Sequence, residues 1–253
     1  MLTVAWWYFI LCLLVFPGSV SGFTESEVRA LQESVGEKPL GERIGFWAER
    51  FVGTAYDPDP LGEYVTRNVL VADERVDCMY LSFRVLELAS STTPEEALAV
   101  ALEKRFRTRG IVKEGHVENY GERFEYGEDM LDSGKWGREI TRDIAPVSSI
   151  SGARGRDRVE MIPREAIRTL LRAEERSSPR LETGDFLYFV KSPEKRVSGE
   201  IVGHIGIVKR VGDTLFLIHA GGRKNGGGSV KKVPLRDYID SMPFVGIRVG
   251  RVD

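Results

Sequence analysis

The sequence predicts an α+β fold with helices early and strands late. Two observations carry this: apolar residues recur at helical spacing through the first half of the chain, and from Asp185 the period becomes two. Helices followed by strands, rather than alternation of the two, indicate an α+β domain. Residues 1–22 are set apart as an export signal. Residues 23–253 are expected to form one domain, helical over 23–180 and strand-rich over 181–253.

The helices follow in order. Thr24 and Glu27 fit a capping box, in which each side chain satisfies a free backbone N–H of the other residue. Val28, Leu31 and Val35 then mark a first helix. Ile44, Trp47, Ala48 and Phe51 mark a second, ending at Gly53. "YDPDPLGEY" is expected to be a loop. Cys78, Leu81, Ser82, Val85 and Leu88 line one face of a third helix, and Thr93-Pro94-Glu95-Glu96 opens a fourth with a cap and Pro at its first position. From Gly110 to Arg156 the chain is polar, Gly-rich and weakly periodic. After Pro163, Ile167, Leu170 and Leu171 mark another helix, with Arg164, Arg168, Arg172 and Arg176 in a row at i+4 intervals. That row reads either as a solvated face balanced by Glu165, Glu174 and Glu175 or as a contact for an acidic ligand.

The strands are "DFLYFV", "HIGIVKR", "TLFLIHA", "SVKKV" and "FVGIRVGRV", rich in Val, Ile and Phe and separated by turns such as Gly212-Asp213.

Composition narrows the function. With 42% apolar and 29% charged residues and a net charge of −2, the chain has no basic excess to suggest a nucleic-acid partner. Residues 1–23 carry no charged side chain. Their apolar run from Val4 to Phe16, then Pro17, Gly18 and small residues, has the form of a secretory signal cut near Ser21 or Gly22. Export to the periplasm or outside the cell is expected, without stable membrane insertion after cleavage. An uncleaved N-terminal anchor is the second reading, because the segment lacks Lys and Arg. Cleavage removes Cys12 and leaves Cys78 as the one cysteine of about 230 residues. A thiol with no partner in an exported chain is reactive, intermolecular or simply a buried small hydrophobe.

Only three histidines occur. His116 lies in a loop-like stretch and reads as a surface residue. His204 opens one predicted strand and His219 closes the next, so a hairpin through Gly212-Asp213 brings their imidazoles together. A second imidazole can then orient the first, as in a nucleophilic triad. Cys78 stands at a helix start, where unpaired N–H groups are expected to favour a thiolate and to bind an oxyanion. Asp77 reads as the cap of that helix. Zinc held by Cys78, His204 and His219 is the competing chemistry, but Asp77-Cys78 lacks paired-ligand spacing, so no metal and no cofactor is expected.

At these residues the chain resembles a known family. "RIGFWAERFVGTAY", "VDCMYLSFRVLELA", "GDFLYFV", "GHIGIV" and "FLIHAGG" are similar, in order, to the landmarks of the NlpC-type papain-like cysteine peptidases of bacterial cell walls. With "NYGERFEYGEDMLDS" and "VPLRDYIDSMPFVGIRVGRV", the likeness is greatest to the N-acetylmuramoyl-L-alanine amidase-like branch, formerly catalogued as a domain of unknown function. It covers about Ile44 to Val252.

The resemblance implies a papain-like fold, N-terminal helices packed on a C-terminal antiparallel sheet or barrel. It implies Cys78 as nucleophile, His204 as base and His219 as orienting residue. Tyr56, Asp77 and Tyr126 are the expected substrate-side residues, with Tyr120 and Phe124 as further candidates to stack on a sugar. The implied substrate is peptidoglycan or its muropeptides, acted on by a monomer. The expected bond is N-acetylmuramoyl–L-alanine; a γ-D-glutamyl–diamino-acid endopeptidase, an inactive wall-binding module and an acyl transferase are the alternatives. The sequence departs from the pattern at Ala55, where proline is usual, and at Phe83, where Glu is common.

Overall fold

In the computed structural model, residues 22–58, 63–174, 180–222 and 227–253 are described. Residues 1–21 of the expected signal, and Glu175 and Arg176 of the charged row, lie outside them.

Helix α1 (Glu25–Val35) starts at the predicted capping box. The Glu27 N–H donates to Thr24 Oγ1 at 3.3 Å, and the Thr24 N–H donates to the Glu27 carboxylate at 2.8 Å. Helix α2 (Leu40–Arg50) stops short of Gly53, whose φ of +97° is open to glycine and strained for other residues. Strand β1 (Ala55–Tyr56) and the short helix α3 (Glu63–Thr66) occupy the two ends of the predicted loop. Strand β2 (Arg75–Val76) then delivers the chain to α4 (Cys78–Ala89), and α5 (Pro94–Lys104) follows behind its Thr93 cap.

The single apolar face predicted for α4 understates its burial. Every residue from Tyr80 to Ala89 is buried, as befits a helix enclosed on all sides. It packs against α2, α5 and the sheet strands that carry the histidines.

The weakly periodic segment after Gly110 holds elements too short to show a period. These are β3 (Val112–Lys113), β4 (His116–Val117), a 3-10 turn at Tyr120–Glu122, α6 (Gly127–Asp132), β5 (Arg138–Glu139), α7 (Thr141–Ile144) and β6 (Ser148–Ser151). Strand β7 (Arg158–Pro163) follows, then α8 (Arg164–Glu174). Two members of the predicted arginine row turn inward on the fold. Arg164 donates to the Phe244 carbonyl at 2.9 Å and Arg168 to the Asp240 carboxylate at 2.7 Å. The acidic-ligand reading of the row therefore fails for these two.

The remaining elements are β8 (Phe186–Val190), β9 (Val202–Val211), β10 (Thr214–Gly222), β11 (Gly228–Pro234), the unpredicted helix α9 (Leu235–Ser241) and β12 (Gly246–Arg251). The sheet runs β2-β1-β11-β10-β9-β8-β12-β7-β6, with β5 on β12. All pairs are antiparallel except β1–β2. The fold is α+β, as the sequence predicts, but both sheet edges come from the helical part of the chain.

Alternation along the strands divides the interior in two. Phe186, Tyr188, Ile205, Ile207, Ile218 and Ala220 face the core that holds α1, α2, α4 and α5. Leu187, Phe189, Val208 and Leu217 face a second core under α7, α8 and α9. Among the described residues no helix is long and apolar enough to cross a membrane.

Candidate active site

The site forms where the start of α4 meets the start of β9. Asp77 caps the helix, accepting from the Tyr80 N–H at 2.6 Å, and this fixes the turn on which Cys78 is the first helical residue. The thiol is half-buried, and the backbone N–H groups of Ile205, Cys78 and Met79 face its sulfur.

His204 lies on the opposite pleat from Ile205, on the face of the second core. The register of β9 against β8 shifts between Phe189 and Val190, which pair with His204 and Val202 and leave Gly203 as the extra residue. Such a bulge re-aims the side chains around it.

In the β9–β10 hairpin Gly212 supplies a φ of +56° at the first turn position, and Ile218 pairs with Ile207. His219 therefore stands diagonally across from His204. Gly206 keeps the diagonal open: a Cβ there would come within 2.6 Å of Leu217 and 3.3 Å of the His219 Cβ. The result is His204 Nε2 at 2.9 Å from His219 Nδ1.

Aromatic rings enclose the two imidazoles. Phe244 is nearly parallel to His204, at 7° and 6.3 Å, and Phe189 and Tyr238 lie within 5.9 and 6.1 Å of it. Tyr238 also meets His219 edge-on at 4.8 Å. Burial pushes His204 down to about 3, helped by the neighbouring His219. Burial, with Lys231 nearby, pushes His219 down to about 4. Both imidazoles are neutral at pH 7.

The thiol behaves in the same way. Burial and then the Asp77 charge push Cys78 up to about 12, against the N–H groups facing the sulfur. Desolvation thus works against the thiolate that the helix start was expected to favour. Asp77 itself is raised to about 6, by burial first and also by Asp57, against its hydrogen bond from the Tyr80 N–H.

The other predicted residues divide. Tyr56 pairs in register with Val76, beside the segment leading into Cys78, and its ring covers Gly222, where a Cβ would come within 2.6 Å. Burial raises its hydroxyl pKa, and the nearby Asp77 and Asp57 carboxylates add to the shift. Tyr126 lines a cavity of about 240 Å³ together with Cys78, Met79, Glu125, Lys191 and His204, and the Arg154 guanidinium covers its ring at 3.5 Å. Tyr120 and Phe124 are corrected: both are buried, and Tyr120 donates its hydroxyl to the Val69 carbonyl at 2.8 Å, so neither can stack on a ligand. His116 is exposed on β4, as expected. Phe83, the departure from Glu, packs against Trp136 at 4.9 Å in the core.

Several residues escaped the sequence reading. Glu128 is fully buried and accepts from the N–H groups of Ile201 and Val202 at 3.1 and 3.0 Å, bracing the start of β9. Tyr238 and Phe244 fall within "VPLRDYIDSMPFVGIRVGRV", which carried a likeness without singling out either ring. Lys191 and Glu200 border a loop with no pattern to mark them.

No family model and no curated protein matches this chain. Solved structures do. An N-acetylmuramoyl-L-alanine amidase from Bacteroides uniformis is similar with a TM-score of 0.62 at 19% identity, covering 84% of this chain and 98% of that one. Protein LPG0564 from Legionella pneumophila, of family DUF1460, is similar with a TM-score of 0.63 at 17% identity, covering 89% of this chain and 93% of that one. At these identities the likeness establishes the fold.

Proposed function

We propose that this protein is an exported cysteine amidase that hydrolyses peptidoglycan or its muropeptide fragments at the N-acetylmuramoyl–L-alanine bond. The observation that carries the reading is the pair His204 Nε2–His219 Nδ1 at 2.9 Å, with Cys78 and His204 lining one cavity. A fold shared with an N-acetylmuramoyl-L-alanine amidase supports it, as does the ordered series of motifs resembling the NlpC-type papain-like enzymes. Residues 1–22 serve as the export signal in this reading, and residues 23–253 form one catalytic domain.

In this reading His204 Nε2–H donates to His219 Nδ1, the tautomer that leaves His204 Nδ1 to accept the Cys78 proton. Because the thiol and both imidazoles rest neutral, the proton leaves sulfur as sulfur attacks the lactyl carbonyl carbon. The backbone N–H groups at the start of α4 receive the oxyanion. On collapse the C–N bond breaks and His204 protonates the departing alanyl amine, leaving a thioester on Cys78. His204 then takes a proton from water as the water oxygen attacks the thioester. The muramic acid carboxylate leaves and the thiol is restored.

A muropeptide carrying both candidate bonds tests the choice. Mass spectrometry should detect free intact stem peptide and the sugar acid. An L-Ala-D-Glu dipeptide left on the sugar would move the cut to the γ-D-glutamyl bond, and an adduct with an added amine would indicate acyl transfer.

A further inference from the structure

One cation in the Cys78 cavity takes no part in these steps. Lys191 follows β8, and its stem crosses Gly203, where a Cβ would come within 2.6 Å of Lys191 Cγ and 2.7 Å of Cδ. Its ammonium is paired with Glu200. Glu200 is itself pinned, accepting from the N–H groups of Ser198 at 2.7 Å and Val197 at 3.2 Å. Burial opposes the Glu200 charge, yet the Lys191 ammonium and these N–H groups hold its carboxyl down at about 2.

The pairing fixes the Lys191 ammonium at the cavity wall. An ammonium has three donors, and the hydrogen bond to Glu200 uses one. The cavity is smaller than the ~300–1,000 Å³ of common ligand pockets, so its occupant is about one residue in size. Its wall is also fixed. Tyr126 is clamped under Arg154, and Arg154 in turn donates to Asp129 at 3.1 Å. Glu125 and Glu200, the other charged groups on the lining, are both paired, Glu125 with Arg123 at 3.4 Å and Glu200 with Lys191.

We propose that Lys191, held by Glu200, forms a carboxylate subsite beside Cys78 and makes this protein select substrates with a free carboxylate close to the scissile amide. The identity of that carboxylate rests on the proposed function. A glutamate joined to the next residue through its γ-carboxyl keeps its α-carboxylate free, two residues from the muramoyl group. Amidation to isoglutamine removes the charge while nearly preserving size.

The test measures binding in the Cys78→Ala protein, so that no turnover is needed. The probes are N-acetylmuramoyl-L-alanyl-D-glutamate γ-methylamide and its D-isoglutamine counterpart, which differ only in whether the α-carboxyl is free. With Lys191 present, the acid should bind about tenfold or more tighter than the amide, the usual scale for a hydrogen bond to a charged group. Lys191→Met keeps a stem over Gly203 and should abolish the preference, whereas Lys191→Arg should retain it. Equal affinity for the two ligands, no binding of either, or a preference that survives Lys191→Met would overturn the subsite. If the preference holds but the Cys78 protein cleaves neither ligand, the subsite stands and the amidase reading falls.

Discussion

On one face of the sheet α4 is held by charge, and on the other the imidazoles are held by aromatic rings. Around α4, Asp73 accepts from the Tyr80 hydroxyl at 2.6 Å and from Arg84 Nε at 3.0 Å. Arg84 lies 3.7 Å from Glu87, which accepts from Arg105 Nη2 at 2.7 Å. Two acids and two bases, all buried, thus lock the helix that opens with Cys78 to the loop before it and to the end of α5. Around His204 and His219 the slot is formed by Phe189, Tyr238 and Phe244. The contrast separates two tasks. Paired charges have strict geometry, so they fix where Cys78 stands. Aromatic burial disfavours the imidazolium, so it favours the neutral form of His204 and His219.

The largest effects should come from the reacting groups. Cys78→Ala and His204→Ala are each expected to lower turnover by on the order of 10³-fold or more, with the Cys78 variant still folded. Near-normal turnover by either would break the assigned roles. Next is the charged side. Glu87→Ala strands the buried Arg105 and should cost about 3–5 kcal/mol in urea unfolding, much of it recovered when Arg105→Met is added. A loss below about 1 kcal/mol would remove charge as the anchor of α4. On the aromatic side, His219→Asn can still accept from His204 and should cut kcat by about 10- to 100-fold. An unimpaired variant would assign the orienting role elsewhere.

The smallest expected effect is on pH dependence. Both imidazoles have folded pKa values below the free value of 6.5, at about 3 and about 4. The unfolded chain therefore binds more protons than the folded one between about pH 4 and 6.5. Their contribution to stability is complete above pH 6.5 and declines as the pH falls toward 4. Asp77 has the opposite sign, since its folded pKa of about 6 lies above its free value, and it stabilises the fold as pH falls through that range. Comparing thermal midpoints at pH 7 and pH 5 isolates the imidazoles: His219→Asn should flatten the acid-side slope. In turnover, kcat/KM should show no acid limb near pH 6.5, and one there would mean that the slot does not keep His204 neutral.

The sequence alone was enough for the helix caps and for the hairpin that joins the histidines. Thr24, Asp77 and Thr93 cap their own helices, and Gly212 bends its own turn, so each signal is read within a few residues of where it acts. The same locality made His204 and His219 legible as a pair, because one tight turn separates their strands. Tertiary structure decided the rest. The bulge at Gly203 depends on β8, the slot on α9 and Phe244, and the brace at β9 on Glu128, 73 residues before Ile201. The raised thiol pKa was beyond reach for the same reason. A helix start favours a thiolate locally, but the desolvation that overrides it comes from groups distant in the chain, and a sequence pattern carries no measure of burial.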